Sequence, residues 1–507
     1  MTPVPDHVVK RKLRRLLKGE KPDVVDLFSG CGGMSLGFRD AGYNILAGVE
    51  KEDVRARTHA RNFHPGDREA AHAKGRDITA SSPEEILRDI TGKRRPRVDV
   101  IVGGPPCQAY ARVGRAKLRE IAKSAKAHLD DPRGGLYATY LTWVEETQPV
   151  AVVMENVPDI LRFGGVNVGE LIARSLDELG YEVRYTLLNA ANYGVPQTRE
   201  RWFLIGIHKS VGVVPTFPEP THYFDVPVGY RGTRGKAALW DRLPKEERPD
   251  HACPLPRPSE ELAAAVSCED ALSDLPFLGE AFKAGLKRRA RNLAVMQSYR
   301  CDAKNAYQRR MRGWTGFETK NGVTAHVIRA LPRDYETFAQ MEEGADYPKA
   351  LEIAEKIFQG RLEKRRSKGE RLLEGSAGWA KLWKAIVPPY DPDKFPNKWR
   401  KLERDFPSRT LMAHLSHDSY THIHYDSEQG RTISVREAAR LQSFPDGFEF
   451  CSAMNAAFGM IGNAVPPLLA WAIAAQLRCN LVAGTFEFPV FSHTHQISPV
   501  ATTPTSC

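Results

Sequence analysis

A chain of 507 residues is too long for one ordinary hydrophobic core and implies two or three domains. Its 42% hydrophobic and 27% charged residues fit a soluble globular protein, and no apolar run is read as reaching the roughly 20 residues of a membrane span. A balance of 73 basic against 62 acidic residues, net +11, favours a polyanionic partner, and eight scattered cysteines without a Cys-x-x-Cys pair exclude a zinc ribbon or a disulfide framework.

In chain order, the first twenty residues place Val8, Leu13, Leu16 and Leu17 among Lys and Arg. This basic amphipathic pattern is expected as a helix against the core, with nucleic-acid contact as the alternative. No apolar segment follows the charged N-terminus, so a cytoplasmic protein is expected. Val24–Phe28, Ile45–Glu50, Val98–Gly103 and Val150–Glu155 are β-branched-rich runs bounded by Gly, Pro or charged turns. The segments between them are helix-like; Leu136, Tyr140, Trp143 and Val144 recur three to four apart before Pro149. Such alternation predicts an α/β fold with a mostly parallel sheet covered on both faces. Tyr181–Ala190 and Arg201–Ile207 lie too close for a helical crossover and are expected to form an antiparallel hairpin at the sheet edge.

After Ile207 the rhythm stops. Residues 214–260 and 386–398 are Pro-rich, Leu351–Arg371 is charged and helical in pattern, and no internal repeat is present. Between Lys283 and Arg312 ten basic residues face one acid, Asp302, with Tyr299, Tyr307 and then Trp314 interleaved. A solvated helix face accounts for that run as well as a phosphate-binding one does. Patterned sequence returns with helices expected over Arg431–Gln442 and Pro466–Gln476, so a second domain is inserted into the first. The boundaries read as 1–207, 208–404, 405–480 and 481–507, with a polar tail from about Ser492 expected to be disordered.

Several stretches carry chemistry. Gly103–Gln108 sets Cys107 on a Pro-Pro turn after a strand, where open α/β sheets place ligands. That cysteine is either a small buried hydrophobe or a nucleophile aimed into a cleft. The turn from Asp26 to Gly33 leads from a strand into a helix, Glu50 ends the next strand, and Asp77 follows in Gly75–Thr79. This set suits a nucleoside without a pyrophosphate, since neither a Walker lysine nor Gly-x-Gly-x-x-Gly spacing is present. Glu155 ends a strand beside the cysteine turn and becomes a proton donor if burial raises its pKa. Arg199 and Arg201 are spaced to hold a carboxylate or a phosphate. His414, His417, His422 and His424 beside Asp418 and Asp426 mimic a metal site, but ligand spacing alone is a weak signal, and no metal is expected.

Taken together, Asp26–Gly33, Gly104–Gln108, Glu155–Val157, Gln197–Arg201, Arg431–Pro445 and Phe458–Pro467 resemble, in order, the DNA (cytosine-5) methyltransferases of the prokaryotic restriction–modification type. The resemblance covers residues 23–207 and about 405–480. It implies a Rossmann-like, S-adenosylmethionine-dependent methyltransferase sheet, mostly parallel with an antiparallel edge hairpin, plus a smaller irregular target-recognition domain. On this reading 1–207 begins the catalytic and cofactor-binding domain, 208–404 recognises DNA, 405–480 returns to the catalytic domain and 481–507 is a tail. Cys107 then attacks carbon 6 of a flipped-out cytosine, Glu155 is the acid on ring nitrogen 3, and Arg201 with Arg199 holds the base and Glu155. The implied cofactor residues are Phe28, Ser29, Gly30, Gly32, Gly33, Glu50, Asp77, Ile78, Leu136 and Asn463. Gln108, Arg112, Arg115, Lys287, Arg288 and Arg289 are the expected DNA contacts.

Two positions depart from the family pattern. Ala111 stands where the family usually has serine, leaving Arg112 and Arg115 to take the phosphate, and Lys51 follows Glu50 where some members have an aromatic. Residues 108–130 are expected to close over DNA as a loop. The partner is expected to be duplex DNA, with a restriction endonuclease of the same target sequence as a second, non-contacting one. The protein is expected to be a monomer without membrane association, cytoplasmic and on the nucleoid when DNA-bound. The alternatives are a tRNA cytosine-5 methyltransferase and a catalytically silent DNA-binding module.

Overall fold

The structure is a computed structural model and describes residues 2–106, 135–163, 165–225, 244, 248–279 and 292–482. Six strands form the central sheet: β1 Asp23–Leu27, β2 Asn44–Val49, β3 Val100–Gly103, β4 Ala151–Asn156, β5 Tyr181–Asn189 and β6 Glu200–His208. They lie in the order β2-β1-β3-β4-β6-β5. The first four run parallel, and β6 is antiparallel to both β4 and β5. All six expected strands are present, and the edge hairpin forms because only a short 3₁₀ turn, Ala190–Tyr193, lies between β5 and β6. Val24, Val25, Leu27, Val100–Val102 and Val150–Met154 are fully buried, as continuous apolar strands covered on both faces must be. Because the chain steps from β1 outward to β2 and then back to β3, the order reverses between β1 and β3. The crevice outside their carboxyl ends is where such sheets bind ligands.

The end of the chain closes one face of this sheet. The Gly33–Asp40 helix packs on the Pro467–Val482 helix, and Tyr43 Oη donates to the Ala474 carbonyl at 3.0 Å. Here the expectation about apolar runs needs correction: Met454–Val482 is 29 residues, long and apolar enough to span a membrane. It is mostly buried and consists of two core helices, Met454–Asn463 and Pro467–Val482, broken before the consecutive prolines 466 and 467. The helix expected over Arg431–Gln442 spans Val435–Leu441, because Ser434 caps it in a reciprocal box with Glu437. At the other end of the chain, the basic Asp6–Leu16 helix lies against the core as expected. Its Lys12 Nζ is buried and donates to the Val98, Thr147 and Gln148 carbonyls at 2.6, 2.8 and 2.7 Å; burial pulls its pKa down to about 8.

Among the described residues the middle has no α/β rhythm. Its longest helix is Tyr347–Arg366, and two small clusters stand apart from the main core, one around Phe338, Trp399 and Tyr420 and one around Phe358, Leu362 and Leu382. Part of the described basic run is used internally, whereas Lys304 and Arg309 are exposed. Arg310 pairs with Asp40 and Arg312 with Asp274, while Tyr299 donates to Asp446. Tyr307, Met311 and Trp314 join the main core. Arg440, fully buried, ties the middle to the return segment by reaching Asp446 through Nε at 2.5 Å and Asp274 through Nη1 at 3.0 Å. Arg440→Met leaves Asp446 buried without its guanidinium partner and Asp274 with Arg312 alone, and is expected to cost about 3–5 kcal/mol of unfolding free energy. Urea denaturation checks this; a loss under about 1 kcal/mol means the carboxylates are not held by Arg440.

The histidines also have structural partners. His422 and His424 are buried, with pKa values pulled down to about 4 and 3. His422 reaches the Arg409 carbonyl and His424 faces Glu437, whereas His414 is exposed beside Asp418. Among the described residues no group of three or more His, Cys, Asp or Glu is arranged to hold a metal.

Candidate active site and cofactor pocket

Sheet register assembles the catalytic edge. Gly103 lies opposite both Leu27 and Met154, so Gly104 and Glu155 follow side by side. A side chain at residue 104 would place its Cβ 2.9 Å from Glu155 Oε2, so glycine is what lets the turn pass over the carboxylate. Asn156 Nδ2 donates to the Pro105 carbonyl at 2.9 Å and pins the turn that leads into Cys107. Cys107, Gln108, Arg112 and Arg115 lie outside the described residues, as do Lys287, Arg288, Arg289 and the expected loop 108–130.

Arg201 Nε lies 3.1 Å from Glu155 Oε1, and both side chains are nearly buried, at 13% and 12% exposure. Burial raises the Glu155 pKa above the usual carboxylic range, and the nearby positive charges of Arg201 and Arg199 only partly offset it. Arg199 is itself buried. Its Nη1 donates to the Leu411 carbonyl at 2.7 Å, and its Nε has no hydrogen-bond partner among the described residues. Burial and the adjacent Arg201 charge both pull its pKa down.

The second set of predicted residues gathers at the ends of β1 and β2. Phe28 sits at φ 60°, a conformation that side chains rarely adopt, and turns the chain toward Gly30. Gly33 abuts the return segment so closely that a Cβ there would collide with the Val465 carbonyl oxygen. Glu50 is buried at the end of β2; its Oε2 accepts from Gly30 N and its Oε1 from Glu52 N, each at 3.0 Å. That aims the carboxylate at the glycine-rich turn and leaves lone pairs for hydroxyl donors. Ser29 Oγ is buried without a hydrogen-bond partner among the described residues.

Asp77 Oδ1 accepts from Thr79 N and Oγ1, and Oδ2 pairs with Lys51 Nζ at 2.8 Å. The Lys51 hydrogen bond, then those from Thr79, hold its pKa down to about 2, so it remains an acceptor throughout the neutral range. Ile78 is buried, Leu136 is half-buried at the start of the Gly135–Thr147 helix, and Asn463 is exposed at the end of the Met454–Asn463 helix. Sequence reasoning assigned no role to Asp26, whose Oδ2 accepts from Ser35 N and Oγ at 3.1 and 2.6 Å and fixes the helix after the glycine turn. Burial lifts its pKa to about 7. The signal was present in the motif, but its partners follow nine residues later on another element.

A mostly parallel sheet with an antiparallel edge pair, and a glycine-rich turn facing an acid at the end of the second strand, define a Rossmann-like methyltransferase. The chain belongs to the C-5 cytosine-specific DNA methylase family, whose profile matches residues 23–255 and 292–479. It is similar to M.OihORF3336P of Oceanobacillus iheyensis, with 40% identity over 91% of this chain and 96% of that one. It is also similar to the type II methyltransferase M.AgeI of Thalassovita gelatinovora, at 32% over 90% and 98%. The crystal structure of a candidate DNA modification methyltransferase encoded in an E. coli prophage shares the fold. That match has a TM-score of 0.55 at 21% identity and covers 91% of this chain and 99% of the other. The activity is DNA (cytosine-5-)-methyltransferase.

Proposed function

We propose that the enzyme methylates carbon 5 of a cytosine flipped out of a specific duplex sequence, through a covalent bond between Cys107 and carbon 6. The observation that carries this reading is Glu155, a buried carboxyl with raised proton affinity, gripped by Arg201 directly behind the turn into Cys107. The thiolate adds to carbon 6, the ring electrons move to nitrogen 3, and protonated Glu155 supplies the hydrogen bond there that stabilises the enamine. S-adenosylmethionine, when bound, supplies an electrophilic methyl group.

Glu50 would hold its ribose, Asp77 and Ile78 its adenine, and the Phe28–Gly33 turn its amino-acid end; the Ser29 hydroxyl, without a partner among the described residues, supports such a ligand. Loss of the carbon-5 proton and expulsion of the Cys107 thiolate restore the aromatic ring. Residues 208–404 present the target-recognition surface, with Lys287, Arg288 and Arg289 on phosphates, as Arg112 and Arg115 are after Cys107. The enzyme acts as a cytoplasmic monomer, either beside a restriction endonuclease of the same specificity or as an orphan methylase.

Bisulfite sequencing of DNA from cells expressing the protein tests this. Protected cytosines are expected in one sequence context and absent from cells expressing Cys107→Ala. Unprotected DNA with methylated tRNA would overturn the choice of substrate.

A further inference from the structure

A run of hydrogen bonds through two buried glutamines joins the segment packed against the glycine-rich turn to Arg199, whose charge acts on the proposed catalytic carboxylate. Ala464 follows Asn463 and precedes Val465, whose carbonyl oxygen lies against Gly33 of the glycine-rich turn. Gln442 Nε2 donates to the Ala464 carbonyl, and Gln442 Oε1 accepts from Gln197 Nε2. Gln197 Nε2 also reaches the Leu441 carbonyl, and its Oε1 accepts from Leu411 N at 2.9 Å. Leu411 returns its carbonyl to Arg199 Nη1 at 2.7 Å, and the Arg199 charge acts on Glu155 beside Arg201.

Gln197 and Gln442 have no solvent exposure, and Arg199 only 2%. The two ends fix which way each amide faces, since only an oxygen can meet Leu411 N–H and only an NH₂ can meet the Ala464 carbonyl. The path thus has one direction, with the Leu441 carbonyl as a second acceptor for Gln197 Nε2. Neither glutamine lies in the pocket or beside Glu155; each reaches these groups through another residue.

Resting on the proposed role of Glu155, we infer that Gln197 and Gln442 are positioning residues, a relay that couples placement of the cofactor-side turn to placement of the Arg199–Arg201–Glu155 cluster. Removing either amide breaks the same path, so their effects overlap rather than multiply.

The test uses the full chain, its own duplex target and labelled S-adenosylmethionine. Gln442→Met is expected to lower kcat by about 10–100-fold, the range typical of residues that orient a ligand or catalytic group from behind. It is also expected to weaken S-adenosylmethionine binding severalfold and to displace the alkaline limb of the kcat–pH profile. Adding Gln197→Met should cost less than a further twofold or so, although Gln197→Met alone is expected to be as damaging. Multiplicative losses overturn the relay. So does a lower melting temperature with cofactor affinity and pH profile unchanged.

Where Gln442→Met does not fold, Gln442→Glu provides the second measurement. Its carboxylate opposes the Ala464 carbonyl, but its protonated form can donate to it, so activity relative to the parent should recover as pH falls; absence of that recovery overturns the inference. A parent enzyme inactive on DNA would sink the proposed function, whereas an active parent with independent glutamines sinks only the relay.

Discussion

Cys107→Ala is expected to lower methyl transfer to DNA by at least about 10⁴-fold while leaving S-adenosylmethionine affinity within about twofold of the parent. Carbon 5 of cytosine is not nucleophilic until a group has added to carbon 6, and that addition needs an anionic sulfur rather than a hydroxyl. No neighbouring thiol substitutes. Cys31, in the glycine-rich turn, is buried and its pKa is pushed up to about 12, so it stays protonated. The turn that leads into Cys107 is held by Asn156, which is why the cofactor side should be indifferent to the change. Labelled-methyl incorporation and calorimetric titration of the cofactor give the two readings. Retained transfer would remove the covalent mechanism, and lost cofactor binding would move Cys107 into the pocket's framework.

Glu155→Gln is the second large effect, a loss of about 10²–10⁴-fold in kcat, the usual contribution of a positioned acid. The carboxamide keeps the volume and can still accept from Arg201, but it has no acidic proton to place on nitrogen 3. The parent's rate should fall at high pH, where no proton is left on Glu155, and this fall should vanish in the variant. The stability sign runs the opposite way. Because burial raises the folded pKa, Glu155 favours the folded state below the ordinary carboxylate pKa, and that contribution disappears as pH rises through the raised value. At neutral pH the variant is therefore expected to melt no lower than the parent. A matching drop in melting temperature would mean that the lost activity reflects damaged structure.

The strands were legible because a parallel sheet buried on both faces writes itself as apolar runs between turns, and the edge hairpin because ten residues cannot carry a helical crossover. Candidate site residues at the ends of those strands could be named because the motifs are contiguous. What could not be read were partnerships across long separations. Nothing in the basic, aromatic run before Trp314 signals that Asp274 and Asp446 occupy its Arg312 and Tyr299. Lys51 read only as a missing aromatic, yet it is the partner of Asp77, 26 positions on. Gln197 and Gln442 stood inside quoted motifs without a role, since an amide's meaning depends on which backbone groups it meets, here 245 residues apart.

One floor of the cofactor pocket is laid by the last helices of the chain, with Val465 under Gly33 and Ala474 bonded to Tyr43. During synthesis the glycine-rich turn emerges early, but its support follows more than 420 residues later, about 20–90 s at ordinary elongation rates. Until then the apolar face of the Gly33–Asp40 helix has nothing of its own to cover it. The glycine-rich turn is therefore expected to gain its support only after residues 465–474 have been made. Truncations at the 3′ end of the coding sequence should produce chaperone substrates rather than partially active methylases.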